Sequence, residues 1–195
     1  MTTPAQVTPD DLRRAFDATL AERAARVRVE LRREAPAVPP RIGPVRRRLM
    51  GALAGRLAEP LVGEGVVDFA GRRCALVYGG VYAVLVTGGE QWSGRPGKEL
   101  ARLPPPEPAD DRHPLWLFEL GPSIRAVLEA HADEAAGVRA ALAVDRDGTA
   151  MPLTVWVDRT GLLRRLEHPA PSATLAVDLL ELGVELTADW SRLPG

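Results

Sequence analysis

The stretch VRAALAVDRDGTAMPLTVWVDRTGLLRRLEH, residues 138–168, is the part of the sequence that says most about fold class. It contains three apolar runs separated by two short polar segments. Asp147-Gly148 is a strong signal for a hairpin turn, and Asp158–Gly161 has the composition of a second turn. Apolar runs between such turns are typical of antiparallel strands, so the stretch predicts three strands, with Trp156 on the middle one. A further strand is predicted over about Ala173–Leu179.

Residues 62–87 predict a second group of strands. The runs VGEGVVDFAG, RRCALVYG and VYAVLVTG are short and apolar, and Gly71 and Gly79-Gly80 separate them as hairpin turns would. Two of these runs are apolar at nearly every position. Either both faces of these strands are covered, or one face lines a cavity.

The N-terminal region predicts a helix that is followed by a strand. Thr8 can cap a helix that we expect to reach about Ala25, with Leu12, Phe16 and Leu20 as its apolar stripe. The next residues alternate between charged and apolar side chains, which predicts a half-buried strand. In that strand we expect Val27, Val29 and Leu31 to point inward and Arg26, Arg28 and Glu30 to face solvent.

Two more segments show helical spacing. In residues 45–59 the apolar residues recur every four positions, and several arginines make this predicted helix basic. A basic helix can lie on a membrane surface, but we favour a packed lid whose arginine stems extend to solvent. Residues 115–131 carry a second helical pattern that Gly121-Pro122 interrupts. Its expected apolar face consists of Leu117, Leu120, Ile124, Val127, Leu128 and His131. The proline-rich residues 35–44 and 93–114 are predicted to be loops.

The composition excludes several classes of protein. A chain of 195 residues suits one domain, and we expect a single domain over residues 1–195 with its core at about 10–187. A net charge of −1 removes the electrostatic argument for nucleic-acid binding. One cysteine excludes an internal disulfide. The N-terminal residues lack the pattern of a secretory signal, so we expect a cytoplasmic protein; a chain trimmed of a leader would belong to the envelope.

Motifs of catalytic or metal-binding chemistry are scarce. His113, His131 and His168 are too far apart in sequence to form a helical metal pair, so we predict no metal site. Cys74 lies in the middle of a predicted strand, where a packing role is favoured over a nucleophilic one. Gly63-x-Gly65 lies within a strand pattern and is not followed by a helix, so it is no dinucleotide fingerprint. We predict no cofactor and no catalytic residue, although a pocket enzyme without covalent chemistry stays open.

The order of these elements resembles the LolA-like lipoprotein-carrier superfamily, above all its LppX/LprG-type actinobacterial branch. The residues that carry the likeness are Leu153–Asp158, Gly161, Arg164–Leu166 and the closing strand that reaches Leu182–Val184. The run GEGVVDFAGRRCALVYG and the later Gln91–Ser93 also look like strands of this family. The likeness covers about residues 10–187.

The resemblance implies an α+β fold. A curved antiparallel sheet would form an open half-barrel, with helices packed on its concave face. It also implies an apolar cavity between sheet and helices for acyl chains or a similar ligand, and no catalytic residues. From the helical stripes and the inward strand positions, the expected lining residues are Phe16, Leu20, Leu53, Leu57, Val67, Phe69, Leu76, Tyr78, Leu85, Trp116, Leu120, Val127 and Val155.

We therefore expect non-catalytic binding of a lipid or another hydrophobic small molecule in this cavity. Nucleic acid is not an expected partner, a membrane surface is not favoured, and the oligomeric state stays open. Two alternatives remain at this point. One is a cyclase-like pocket enzyme of a secondary-metabolite pathway, and the other is a sensor or protein-interaction domain.

Overall fold

The computed structural model describes residues 7–33, 59–104, 113–133, 137–170 and 173–186. The predicted helix over residues 45–59, with Leu53 and Leu57, lies outside these ranges except for its last position. The described residues form two α-helices, one 3₁₀ turn at Gly121–Ser123 and eleven strands. The helices are α1 (Pro9–Ala21) and α2 (Leu115–Phe118). The strands are β1 (Ala24–Arg33), β2 (Leu61–Asp68), β3 (Arg73–Tyr78), β4 (Tyr82–Thr87), β5 (Glu90–Gly94), β6 (Ala101–Arg102), β7 (Ile124–Asp133), β8 (Gly137–Arg146), β9 (Thr149–Val157), β10 (Leu163–Ala170) and β11 (Ala173–Leu182).

The strands form one antiparallel sheet in the order β6-β5-β4-β3-β2-β1-β11-β10-β9-β8-β7. Two meanders, β1–β6 and β7–β11, meet where β1 pairs with β11. Strands β6 and β7 are the two edges, and the sheet does not close between them. The predicted half-barrel with helices is therefore confirmed, and so are the hairpins at Asp147-Gly148 and Asp158–Gly161.

Helix α1 begins where the sequence predicts it and ends earlier. The Thr8 hydroxyl accepts a hydrogen bond from the Asp11 N–H at 3.2 Å, and the Asp11 carboxylate accepts one from the Thr8 N–H at 2.9 Å. This reciprocal cap satisfies two backbone donors at the helix start. The expected end at Ala25 is wrong, because Arg23 adopts a left-handed conformation with φ of 68°. The Arg23 carbonyl then accepts a hydrogen bond from the Phe69 N–H at 2.8 Å, which ties the turn to the end of β2.

Strand β1 follows the predicted alternation. Val27 and Val29 are fully buried and Leu31 is half-buried, whereas Arg26 and Arg28 are exposed. Glu30 departs from the prediction, since its side chain is only 18% exposed and pairs with Arg32. The inward residues belong to the main core, which lies between the concave face, α1 and α2. A second, smaller cluster lies on the opposite face of β3 and β4 and consists of Ala75, Ala83 and Leu85, with Val66, Val77, Trp92 and Leu100 packed against it.

The predicted helix over residues 115–131 is wrong beyond its first turn. Only Leu115–Phe118 is α-helical, and residues from Ile124 onward form β7. Two register shifts in β7, one after Ile124 and one after Val127, each add one unpaired residue. Inward positions therefore recur every three residues, at Ile124, Val127 and Ala130, which is the spacing of a helix face. The bulge residue Leu128 is 65% exposed, so its predicted place over the concave face is also wrong.

Two glycines on β2 allow the strands to approach closely. A Cβ at Gly63 would lie 2.6 Å from the ring of Tyr78, and a Cβ at Gly65 would overlap the carbonyl oxygen of Ala75. The Tyr78 ring thus occupies the space left by the missing Gly63 side chain and stays buried. None of the helices in the described ranges is long and apolar enough to cross a bilayer.

Candidate functional site

Most of the predicted lining residues come together in the main core. Those that are buried there are Phe16, Val67, Phe69, Leu76, Tyr78, Leu120 and Val155, and those half-buried against it are Leu20, Trp116 and Val127. Leu85 is an exception: it pairs with Ala75 and lies in the second cluster, so its predicted inward orientation is wrong. Leu53 and Leu57 lie outside the described residues.

Helix α1 covers the concave face and is anchored at both ends. The Arg13 guanidinium donates to the Ile124 carbonyl at 2.5 Å near the start of the helix. Near its end, the Thr19 hydroxyl accepts from the Leu163 N–H at 2.9 Å and donates to the Ala15 carbonyl at 2.8 Å. Every polar atom of this buried threonine is thereby satisfied, which fixes α1 against β10.

Residues 113–123, which we call the crossover segment, lie beside α1 on the same face. The segment contains α2 and leads into β7. Its Leu117 and Phe118 are almost completely buried, and the Phe118 ring packs edge-on against Phe69 at 4.9 Å between centroids. A Cβ at Gly121 would lie 2.7 Å from the Cβ of Phe16, so α1 rests directly on the segment. Side chains of α1 and the crossover segment therefore pack together on the concave face.

A pocket of about 490 Å³ lies at one end of the sheet, beside α2. The β2–β3 turn and the β4–β5 turn contribute to its walls. Among the described residues, Trp116 is the only predicted lining residue that lines this pocket. The lining residues within the described ranges are Gly71, Arg72, Val86, Gly88, Gly89, His113, Leu115, Trp116 and Glu119.

The pocket combines an apolar floor with a charged rim. Val86 and Leu115 are buried members of the main core, so the floor is continuous with the interior. At the rim, the Arg72 guanidinium and the Glu119 carboxylate approach to 2.6 Å and connect the β2–β3 turn to the end of α2. The Arg72 side chain is 74% exposed and that of Glu119 is 48% exposed. An ion pair this exposed contributes little stability and can open readily.

The β2–β3 turn holds Arg72 in an unusual conformation. Asp68 is buried and its carboxylate accepts hydrogen bonds from the Gly71 N–H at 2.8 Å and from the Arg73 Nε at 3.0 Å. These bonds close the turn around the carboxylate. Arg72, at the next position after Gly71, adopts a left-handed φ of 50°, which is uncommon for a residue with a long side chain.

Trp116 is held in place by residues from the other half of the sheet. The Arg146 guanidinium carbon lies 4.4 Å from the centroid of the indole ring, and the His168 ring packs edge-on at 5.3 Å. His168 is itself fixed by a 2.9 Å contact between its Nδ1 and the Pro152 carbonyl. The indole Nε1–H is buried and has no acceptor among the described residues.

The chemistry of the described residues suits binding. Cys74 is fully buried, and burial raises the pKa of its thiol, so it stays protonated and packs as an apolar residue. Within the described ranges, no three His, Cys, Asp or Glu side chains come close enough together to hold a metal ion. Among the described residues, the pocket offers an apolar floor and one ion pair at its rim.

The fold places the chain in a structural class. A curved, open antiparallel half-barrel with helices on its concave face is the LolA-like fold. Among solved structures, the chain is similar to the lipoprotein LppX from Mycobacterium tuberculosis, with 12% identity, coverage of 93% of this chain and 97% of that chain, and a TM-score of 0.53. LprF from Mycobacterium bovis aligns over 95% of this chain and 97% of its own, with 14% identity and a TM-score of 0.48.

The match to LppX confirms the resemblance that the sequence predicted, as a likeness of fold. Neither a protein-family model nor a curated protein matches the chain. At 12% identity the fold alone is shared, so the function has to be argued from the pocket.

Proposed function

We propose that the protein binds a lipid or another hydrophobic small molecule, without converting it, in the pocket beside α2. The observation that carries this proposal is the apolar floor of Val86 and Leu115, which opens to solvent under a polar rim. A volume of about 490 Å³ lies within the range of about 300–1,000 Å³ that is typical of small-molecule sites. The resemblance to the LolA-like superfamily supports it, since it implies an acyl-chain site between sheet and helices.

The pocket differs in position from the cavity that the sequence predicts. Helix α1 and the crossover segment pack on the concave face, and the pocket lies beside them at one end of the sheet. Burial of about 300 Å² of apolar ligand surface at about 25 cal/mol per Å² contributes about 7 kcal/mol before the entropy of association is subtracted. We therefore expect micromolar affinity for a single-chain ligand.

Calorimetric titration with 1-dodecanol tests the proposal. We expect saturable binding of one molecule per chain, and we expect Val86→Phe to weaken it at least about tenfold, since a phenyl ring would fill the floor. Val81→Phe is the matched control, because Val81 is 72% exposed in the turn between β3 and β4, outside the pocket. Thermal unfolding verifies that both variants are folded. Absence of saturable binding, or equal affinity in the two variants, would overturn the proposal.

Neither the enzyme alternative nor the sensor alternative gains an observation from the described residues. A retained lipid in native mass spectrometry of protein purified from cells would identify the natural ligand directly.

A further inference from the structure

We propose that the pocket recognises a carboxylate headgroup and that Arg72 binds this headgroup in place of Glu119. The inference rests on the proposed function, because the apolar chain of the same ligand would occupy the floor of the pocket. It adds the chemical class of the ligand, a single-chain anionic amphiphile, and a role for each partner of the rim ion pair.

Arg72 has hydrogen-bond donors that its ion pair does not use. A guanidinium carries five N–H donors, and among the described residues Arg72 makes one close contact, from its terminal nitrogen to Glu119 Oε1. Arg146, whose guanidinium carbon lies 4.4 Å from the centroid of the Trp116 ring, adds a second positive charge beside this wall of the pocket.

Glu119 shows what Arg72 can bind. The internal pair is already a carboxylate on a guanidinium, with the geometry that a ligand carboxylate would reproduce. Because both side chains are largely exposed, the pair is weak and the incoming carboxylate displaces Glu119 at little cost. The left-handed backbone of Arg72, held by the turn around Asp68, keeps the start of its side chain at the rim even when Glu119 is released.

A cationic headgroup would find no comparable support. It would have to compete with Arg72 for Glu119, and the indole N–H of Trp116 cannot accept a hydrogen bond. A cation could otherwise stack on the face of the Trp116 ring, but the guanidinium of Arg146 lies over that ring. The donors and the ring thus favour an anion over a cation.

The experiment compares dodecanoate with 1-dodecanol by calorimetry at about pH 8, where the acid is ionised. In Arg72→Gln we expect dodecanoate binding to weaken about two- to fivefold and dodecanol binding to weaken less, because a hydroxyl carries no charge to pair with the guanidinium. In Glu119→Gln we expect dodecanoate to bind more tightly, because its internal competitor has lost its charge. Arg102→Gln is the control, since Arg102 forms an equally exposed 2.6 Å pair with Glu90 and does not line the pocket.

The outcomes separate the two proposals. If neither probe binds, the proposed function fails and the inference fails with it. If both bind and dodecanoate is insensitive to Arg72→Gln and to Glu119→Gln, the pocket binds chains and the carboxylate assignment is overturned. The inference is supported if Arg72→Gln and Glu119→Gln change the affinity for dodecanoate in opposite directions and Arg102→Gln leaves it unchanged. A purely structural role of the ion pair would instead shift the affinity for both probes in the same direction.

Discussion

The outer faces of the two halves of the sheet are covered in different ways. Across β8 to β11 the outer face carries a row of charges: Arg165 donates to Asp178 at 2.6 Å, and Arg139 and Arg165 flank the ring of Trp156 at 5.5 and 5.4 Å. Across β3 and β4 both faces are apolar, and the outer one needs the cover of side chains such as Leu100. The pocket lies at one end of β3 and β4, in the half whose outer face is apolar.

The comparison predicts that substitutions between β2 and β3 lower the free energy of unfolding most. Gly65→Ala should prevent folding or destabilise the protein by more than about 4 kcal/mol, because the added Cβ overlaps the backbone of Ala75 and lies 2.9 Å from the Cα of Leu76. Gly79→Ala is the control. Its site is open, and the left-handed φ of 54° should limit the loss to about 1–2 kcal/mol. Urea unfolding measures both, and equal losses would show that β2 and β3 are not so closely apposed.

The bulges of β7 predict a second, intermediate effect. Leu142→Ala should lower the free energy of unfolding by about 2–5 kcal/mol, because Leu142 is fully buried opposite Val127. Leu128→Ala should change it by less than about 0.5 kcal/mol, since the bulge turns Leu128 to solvent. A large loss of unfolding free energy in Leu128→Ala would contradict the bulged strand. It would indicate a helix, or a strand in a different register, in this segment.

The smallest effect concerns the turn between β9 and β10. Partial burial alone would raise the pKa of Asp158, but hydrogen bonds from the Thr160 hydroxyl, the Leu162 N–H and the Arg164 guanidinium outweigh it and lower the pKa to about 2. The ionised form is therefore favoured in the folded state. Its contribution is present above the unfolded pKa of 3.8 and is lost as the pH falls toward 2. With allowance for solvent screening, we expect about 1–2 kcal/mol.

Urea unfolding at pH values between 2 and 5 checks this prediction. Asp158→Asn should remove that part of the acid sensitivity, whereas Asp147→Asn in the exposed turn between β8 and β9 should leave it intact. If Asp158→Asn has the same acid profile as the wild type, the turn does not depend on the charge of this carboxylate.

Local turn chemistry explains which elements could be predicted from the sequence. The hairpins around β9 were predictable, because Asp147-Gly148 and Asp158–Gly161 specify turns without reference to the rest of the chain. Residues 124–133 were not, because two bulges convert the alternation of a strand into the spacing of a helix. Leu85 was assigned to the wrong face because β4 is apolar at nearly every position, so no polar residue fixes the register.

The pocket lay beyond sequence reasoning for a different reason. Its rim joins Arg72 to Glu119, and its walls come from glycines that look like simple turn residues. No spacing rule brings these positions together. They are far apart in the sequence and meet because the crossover segment places α2 beside the two turns. The core could be predicted from apolar periodicity. The open space beside it could not, because it depends on where the β2–β3 turn, the β4–β5 turn and α2 lie relative to one another.

The central claim is that a hydrophobic ligand binds at the end of the sheet beside α2. The most direct test is a titration of isotope-labelled protein with 1-dodecanol, followed through the backbone amide resonances. The account predicts that the saturable shifts concentrate at Gly71, Gly88, Gly89 and Trp116, while Gly80, in the turn at the opposite end of β3 and β4, stays unchanged. Shifts that instead run along α1 and the inward residues of β9 and β10 would place the ligand in the middle of the concave face and contradict the account.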